Sequence, residues 1–165
     1  MTETLFSRSG AAGEALRVDM LGCLTVSRNG APRALPASRK ARALLAYLAL
    51  ASRPTPRPQL CELLWDGPGD PRGELRWCLS KLRNLLDEPG RQRVETEGDT
   101  VALHLDGCFV DAIEIASAAE QGIGTLDGKR LQELAKLFAG DFLDGLSREA
   151  FRIATGAPIP PGADA

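Results

Sequence analysis

The residues best suited to chemistry lie together on one predicted helix, which runs from Pro71 to about Asp87. At the helical period, one arc of this segment is polar and mostly basic, and it contains Arg72, Gly73, Arg76, Trp77, Ser80, Lys81, Arg83 and Asn84. Arginine can donate two hydrogen bonds to guanine, asparagine can bridge adenine, and serine and lysine reach phosphates or base edges. The arc therefore predicts a surface for the DNA major groove, although such charged faces are often only solvated.

The rest of this helix indicates how the polar arc is held outward. The opposite arc is apolar, which favours packing against other helices, and it consists of Leu75, Cys78, Leu79, Leu82, Leu85 and Leu86. A short helix is predicted before it, over 57–65. The turn between the two ends in Asp70 as the N-cap and Pro71 at the first helical position. Two helices joined by a tight turn form a helix-turn-helix, which strengthens the groove-binding interpretation.

The elements on the N-terminal side of this pair are short strands and one more helix. Three runs with alternating apolar residues lie between Leu16 and Leu35, with a turn at Asn29-Gly30, and predict an antiparallel meander. Ser38 is the predicted N-cap of a first helix that ends near Ser52. The first turn of that helix is basic and holds Arg39, Lys40 and Arg42.

A hairpin is predicted on the C-terminal side, because residues 94–96 and 101–105 alternate on either side of Gly98-Asp99. Meander, three helices and hairpin, in this order, predict an α+β fold: a winged helix-turn-helix domain over residues 15–106 with the hairpin as its wing. Residues 1–14 are small and polar and predict a disordered tail.

The remaining chain predicts a short all-helical segment over 107–150, with helices at about 110–121 and 128–138. Residues 142–146 could belong to the end of the second helix or to the next element. The final stretch, 151–165, is rich in proline, glycine and alanine and predicts a flexible tail.

The charge is divided unevenly along the chain. Its 20 basic and 22 acidic residues give a formal net charge of −2, which as a bulk value argues against a nucleic-acid binder. Residues 33–93, however, contain twelve basic and six acidic residues and carry +6, whereas 94–165 carry −8. The positive charge is concentrated where the predicted helix-turn-helix lies, as phosphate attraction requires.

Other functional classes are disfavoured by composition. The longest apolar stretch has nine residues, whereas a membrane span needs about twenty, and the N-terminus lacks the pattern of a secretory signal. The four cysteines are scattered and the one histidine, His104, has no carboxylate or thiol at ligand spacing. We therefore expect a cytoplasmic protein that is not an enzyme and holds no metal or cofactor.

Six segments resemble, in order, the SARP-type bacterial transcriptional activators. The first four are similar to their OmpR-like winged helix and the last two to the start of their tetratricopeptide-like activator domain: 16–24, 40–46, 60–65, 79–83, 109–113 and 138–146. The resemblance implies binding to double-stranded promoter DNA, usually as homodimers on direct repeats, with contacts to RNA polymerase. It places the groove-reading positions on Arg76, Trp77, Ser80, Lys81 and Arg83, with Arg72 nearby.

Two departures from that family affect these expectations. The predicted wing carries Glu95, Glu97 and Asp99, with Arg91 and Arg93 only at its base, so a wing contact to DNA is in doubt. The helical segment supplies roughly one helix pair, whereas a solenoid of this type needs about three repeats. Binding is then expected to depend on the third helix and the arginines of the first.

Two features leave alternatives open. Trp77 lies on the polar arc, where it could contact DNA, contact a protein partner or fold over a neighbouring loop; the second option makes the domain a protein-interaction module built on a degenerate winged helix. Residues 152–165 are similar to a loop of molybdopterin molybdotransferases, in which Thr155 would lie near the active site. No catalysis is assigned to Thr155, because the carboxylates and metal-binding domain that it would need are missing.

Overall fold

The computed structural model describes residues 16–65 and 67–146. The strands are β1 (Leu16–Asp19), β2 (Gly22–Cys23), β3 (Thr25–Arg28), β4 (Ala31–Arg33), β5 (Thr55–Pro56), β6 (Val94–Glu97), β7 (Thr100–Leu103), β8 (Phe109–Val110) and β9 (Phe142–Asp144). The helices are α1 (Arg39–Leu50), α2 (Arg57–Leu64), α3 (Pro71–Leu86), α4 (Asp111–Gln121) and α5 (Gly128–Ala135), with a 3-10 turn at Ile123–Thr125. The architecture is mixed α+β.

The N-terminal strands form the predicted antiparallel meander. β1 pairs with β3, and β3 pairs with β4 through a two-residue turn at Asn29-Gly30. Both turn residues have positive φ, 54° and 77°, which is the geometry that the Asn-Gly pair favours in hairpins. The sheet also has a fourth strand that the sequence did not predict, because β8 adds to β1 in parallel.

The three central helices enclose the core together with this sheet. Ser38 caps α1 by accepting a hydrogen bond from the backbone N–H of Ala41 at 3.3 Å. The apolar arc of α3 is buried as predicted, and it packs against α1 and α2. The core adds apolar side chains from the meander and the two flanking helices, including Leu16, Val18, Leu44, Leu45, Leu48, Leu60 and Leu64.

The predicted hairpin is present and belongs to a three-stranded sheet. β6 and β7 pair in the register Glu97↔Thr100, so Gly98 and Asp99 form the turn. β5 joins the free edge of β7, in a stretch that the sequence indicated only as a break between helices. Its two residues are too few to show a period of alternation, and Pro56 is tolerated because the strand is at an edge.

The segment after residue 106 is not all-helical, which corrects the prediction. β8 joins the meander, and β9 pairs in parallel with β2. The carboxylate of Asp111, which is fully buried, accepts the backbone N–H groups of Met20 and Leu21 at 2.8 Å. β8 and β9 are strands because they form backbone hydrogen bonds with β1 and β2. A run of two or three residues does not show such pairing in its sequence pattern.

Several predictions lie on residues outside the described ranges. The N-terminal tail, the flexible tail and Thr155 belong to this group, and the domain boundary after residue 106 stays a prediction.

α5 ends at Ala135, three residues before the predicted end. No helix of the described part of the chain is long and apolar enough to span a membrane.

Candidate nucleic-acid interface

The start of α3 is fixed by its own sequence. Asp70 caps the helix, its Oδ1 accepting the backbone N–H of Gly73 at 2.9 Å, and Pro71 occupies the first turn. A Cβ atom added to Gly73 would collide with the Asp70 carboxylate. Glycine at this position therefore leaves room for the Asp70 carboxylate against the first turn of α3.

The polar arc of α3 is on the surface of the domain. Six of the predicted site residues are exposed there, namely Arg72, Arg76, Trp77, Ser80, Lys81 and Asn84. Within the described ranges, the guanidinium groups of Arg72 and Arg76 have no ion pair and no side-chain hydrogen bond. They are thus free to donate to an external acceptor, such as a phosphate oxygen or the edge of guanine.

Trp77 is the large apolar residue of this exposed face. Its side chain is 46% exposed, and the Nζ atom of Lys81, one turn further along, lies 5.2 Å from its ring centroid. This cation–π contact holds Lys81 beside the ring without removing either group from the surface. The Ser80 hydroxyl donates to the Trp77 carbonyl oxygen at 2.7 Å, so its oxygen is left to accept rather than donate.

Arg83 differs from the other arginines of α3. It is half-buried, and its guanidinium donates to the Val94 carbonyl oxygen at 3.4 Å and to the Thr96 hydroxyl at 3.2 Å. Both acceptors belong to β6. The structure therefore places Arg83 between α3 and the hairpin, where it orients the two elements relative to each other.

The basic residues of α1 lie in two different environments. Arg39 and Lys40 are exposed, and the Lys40 Nζ lies 5.5 Å from the Trp65 ring, beside the turn that joins α2 to α3. Arg42 is half-buried and its Nε donates to the Pro36 carbonyl oxygen at 2.7 Å. Lys40 is thus beside the helix-turn-helix, while Arg42 fixes the loop before α1.

Two basic residues outside the predicted site lie next to the exposed face of α3. Arg33 is exposed and lines a shallow cleft together with Lys81 and Asn84. Arg57, the first residue of α2, lines a second cleft with Arg72 and Arg76. The charge count over 33–93 included both arginines, but only the tertiary structure shows that they lie beside α3.

The hairpin is acidic on its exposed surface. Glu95 and Glu97 are exposed, and the Glu95 Oε2 lies 2.6 Å from the Nε2 of His104. Asp99 at the turn accepts the backbone N–H of Arg57 through its carbonyl oxygen at 2.7 Å. The hairpin turn is therefore attached to the start of α2, and Asp99 at this turn lines a cleft together with Arg72 and Arg76 of α3.

Arg93 is the member of the basic segment that does not contribute to the surface. It is 1% exposed, and its guanidinium lies 3.3 Å from Glu88, which also lies 3.4 Å from Arg28. Another nitrogen of the Arg93 guanidinium donates to the Cys108 sulfur at 2.9 Å. The charge of +6 over 33–93 thus includes one buried arginine whose charge is compensated by Glu88. We call the group formed by Arg28, Glu88 and Arg93 the buried junction.

Three of the four cysteines are at least partly buried, namely Cys61, Cys78 and Cys108, whereas Cys23 is exposed. Burial raises the pKa of the Cys78 thiol to about 11, and burial also raises the pKa of Cys61 and Cys108. A raised pKa keeps a thiol protonated at neutral pH and a poor nucleophile. Among the described residues, no group of histidine, cysteine and acidic side chains is placed to hold a metal ion.

Comparisons with known proteins give a likeness in structure. No protein-family profile matches the chain, and no curated protein matches its sequence. Among solved structures, the chain is similar to Mycobacterium tuberculosis EmbR in complex with a low-affinity phosphopeptide, with a TM-score of 0.66 and 25% identity. The match covers 87% of this chain and 42% of that one, so the chain spans less than half the length of its neighbour. EmbR is a transcriptional regulator of the SARP family, and the likeness supports a SARP-like fold.

Proposed function

We propose that this protein is a sequence-specific, DNA-binding transcriptional regulator of the SARP type, and that its core is a winged helix-turn-helix over residues 15–106. One observation carries the proposal. α3 exposes a row of unpaired donors along one face, while a continuous leucine arc on the other face fixes it to α1 and α2. The order α1, α2, α3 and hairpin, together with the likeness to EmbR, supports this assignment.

The proposed roles of the α3 side chains follow from their chemistry. Arg76 and Asn84 are assigned to base edges, because a guanidinium can pair with guanine and a carboxamide with adenine. Arg72 and Lys81 are assigned to phosphates or base edges near the same groove, and Ser80 is assigned to a hydrogen-bond donor on a base edge, because its own proton is donated to the Trp77 carbonyl oxygen. Trp77 supplies an apolar surface for a thymine methyl group or a sugar.

Residues outside this row have supporting roles in the proposal. Arg39 and Lys40, which are exposed at the start of α1, are assigned to phosphate contacts, whereas Arg42 holds the loop before α1. Arg83 positions the hairpin through Val94 and Thr96. Because the hairpin is acidic, it does not add to phosphate attraction, and the proposed affinity of a single copy is modest.

A regulator of this kind acts in the cytoplasm, where it would bind promoter DNA and contact RNA polymerase. Modest affinity for one copy implies that a second copy or the polymerase raises occupancy, since linked binding events add effective concentration. A homodimer on direct repeats, as the resemblance implies, is therefore included in the proposal.

The test is selection of binding sites from random duplex DNA, followed by gel-shift titration of the selected sequence against a scrambled one. The expected result is an enriched motif and an affinity that falls as salt rises. A folded protein that shows neither enrichment nor salt-sensitive DNA binding would contradict the proposal. Size-exclusion light scattering of the protein with DNA carrying one or two copies of the motif tests the dimer.

A second candidate is a protein-interaction module, and the exposed Trp77 beside an acidic hairpin favours it. The two candidates predict different effects for the single variants Trp77→Ala and Arg76→Ala. Loss of DNA affinity mainly with Arg76→Ala supports the regulator. A protein that binds no selected DNA but loses a purified partner upon Trp77→Ala supports the module.

A further inference from the structure

A cleft beside the exposed face of α3 gathers charge from three elements. It lies between the start of α2, the first turns of α3 and the hairpin turn, and it is lined by Arg57, Asp70, Arg72, Leu75, Arg76, Gly98 and Asp99. Three guanidinium groups that are distant in sequence thus line one cleft. Only the tertiary structure brings Arg57 to the two arginines of α3.

The backbone fixes Arg57 at this place. Its N–H donates to the Asp99 carbonyl oxygen at 2.7 Å, and the preceding strand β5 pairs with β7 through Thr55↔Val101 and Pro56↔Thr100. The start of α2 and the hairpin turn therefore form one unit. Arg57 is held at the rim of the cleft without relying on its own side chain for that attachment.

The side chain of Arg57 is left without internal partners. Its Nε is buried and finds no hydrogen-bond acceptor, and within residues 16–65 and 67–146 its guanidinium forms no ion pair. Arg72 and Arg76 are exposed and likewise form no ion pair within these ranges. The three guanidinium groups that line the cleft therefore retain donors that the residues of the cleft do not satisfy.

The acidic members of the cleft do not remove this excess. Asp70 is occupied as the cap of α3, where its Oδ1 accepts the N–H of Gly73. Asp99 contributes its carbonyl oxygen to Arg57, while its carboxylate remains at the exposed turn. Three cations therefore face two carboxylates, and a further anion can enter with net attraction.

We infer that this cleft binds a phosphodiester of the DNA backbone, with Arg57 and Arg72 as the phosphate contacts beside the base contact proposed for Arg76. The inference rests on the proposed function and extends its interface to α2. Guanidinium groups suit this ligand because their planar donors match two phosphate oxygens at once. The Asp99 carboxylate also lines the cleft, and it weakens the contact because it repels the phosphate.

The test measures how the affinity for duplex DNA depends on salt. Arg57→Gln is expected to reduce the slope of log K against log salt by about 0.9, the value for one phosphate contact on B-DNA, and to leave the ratio of specific to scrambled affinity unchanged. Arg57→Lys is expected to keep the slope. Asp99→Asn is expected to bind DNA severalfold more tightly than the unaltered protein at low salt. This gain in affinity should become smaller at high salt, because salt screens the repulsion that the substitution removes.

A matched control separates this site from general loss of charge. Arg53→Gln removes an exposed arginine that lines a different cavity, beside Tyr47 and Gln59, and it should reduce the slope less than Arg57→Gln does. Thermal melting of each variant checks the fold. If Arg57→Gln lowers the melting temperature strongly, the opposite response of Asp99→Asn still decides the question.

The outcomes distinguish the two proposals. If the unaltered protein binds DNA but neither Arg57→Gln nor Asp99→Asn changes the salt slope or the affinity, the cleft assignment is wrong and the regulator stands. If the unaltered protein shows no salt-sensitive DNA binding, the proposed function fails and the cleft assignment fails with it. A smaller slope for Arg57→Gln with an unchanged slope for Arg57→Lys supports the phosphate contact.

Discussion

The exposed face of α3 and the buried junction contain the same kinds of charged residue in opposite situations. Arg72 and Arg76 are exposed and, in the described part of the chain, unpaired. Arg93 is 1% exposed and lies between Glu88 and the sulfur of Cys108. The comparison shows that a count of basic residues does not locate a binding surface.

The physical reason is the different cost of solvation. Water solvates an exposed guanidinium, so it can remain unpaired until a ligand arrives, and an ion pair there would add little stability. A buried guanidinium loses that hydration and must be compensated by carboxylates and hydrogen bonds. Only the exposed arginines are therefore available for a partner, while the buried one is compensated by Glu88 and by hydrogen bonds to residues that follow the hairpin.

The largest effect is expected for Arg93→Met. This change removes the guanidinium that pairs with the largely buried Glu88 carboxylate, and breaking such a pair costs about 3 kcal/mol of the free energy of unfolding. Urea denaturation measures the change. Arg76→Met, on the exposed face, should stay within about 0.5 kcal/mol of the unaltered protein, and equal losses for the two variants would break the comparison.

Asp111→Asn extends the comparison to carboxylates. The buried Asp111 accepts N–H groups of Met20, Leu21 and Ala112, and loss of its charge should cost about 2–3 kcal/mol, because charged hydrogen bonds are the stronger ones. The measurement is again urea denaturation. Glu97→Gln on the hairpin serves as the control, because Glu97 is exposed and its substitution should change stability little. A loss of stability near zero for Asp111→Asn would contradict the role of the Asp111 carboxylate in linking α4 to the backbone of Met20 and Leu21.

The third prediction concerns affinity instead of stability. Arg76→Ala should weaken binding to the selected DNA by about 1–3 kcal/mol and relax the preference at one base pair, because a bidentate base contact is lost. Lys81→Ala should weaken specific and scrambled DNA alike and reduce the salt slope. Fluorescence anisotropy with both duplexes measures each effect, and the same response from both variants would remove the division of roles along α3.

The smallest effect concerns the inner face of α3. The pKa of the Cys78 thiol is raised from 9.0 to about 11, so the folded state holds the proton more tightly than the unfolded state. Its contribution is complete below pH 9 and is lost as the pH rises toward 11, and between pH 8 and 10 the loss is about 1 kcal/mol. Stability curves at both pH values measure it; Cys78→Ala should show a shallower decline, and an identical decline would contradict the assignment.

The sequence predicted the elements whose residues act locally. The Asn29-Gly30 turn, the Ser38 and Asp70 caps and the apolar arc of α3 appear where the pattern placed them. Caps and turns depend on side chains within a few residues, and a helix of this length shows its period clearly. The strands β5, β8 and β9 were missed, because two- and three-residue strands gain their identity from distant partners.

The same division applies to the candidate site. The spacing of residues along α3 was enough to select the exposed row from Arg72 to Asn84, since one helix places them on one face. It could not show that Arg83 is committed to β6 or that Arg57 lies beside Arg72. Those facts require the packing of the hairpin against α2 and α3.

The sequence by itself determined the helices, their caps and the face of α3 that points away from the core, because these depend on short-range periodicity and on the exclusion of apolar residues from water. The tertiary structure alone decided which charges are buried and which remain free. Burial depends on elements far apart in sequence, as when Glu88 meets both Arg28 and Arg93. An arginine binds an external partner only where folding leaves it hydrated and uncompensated.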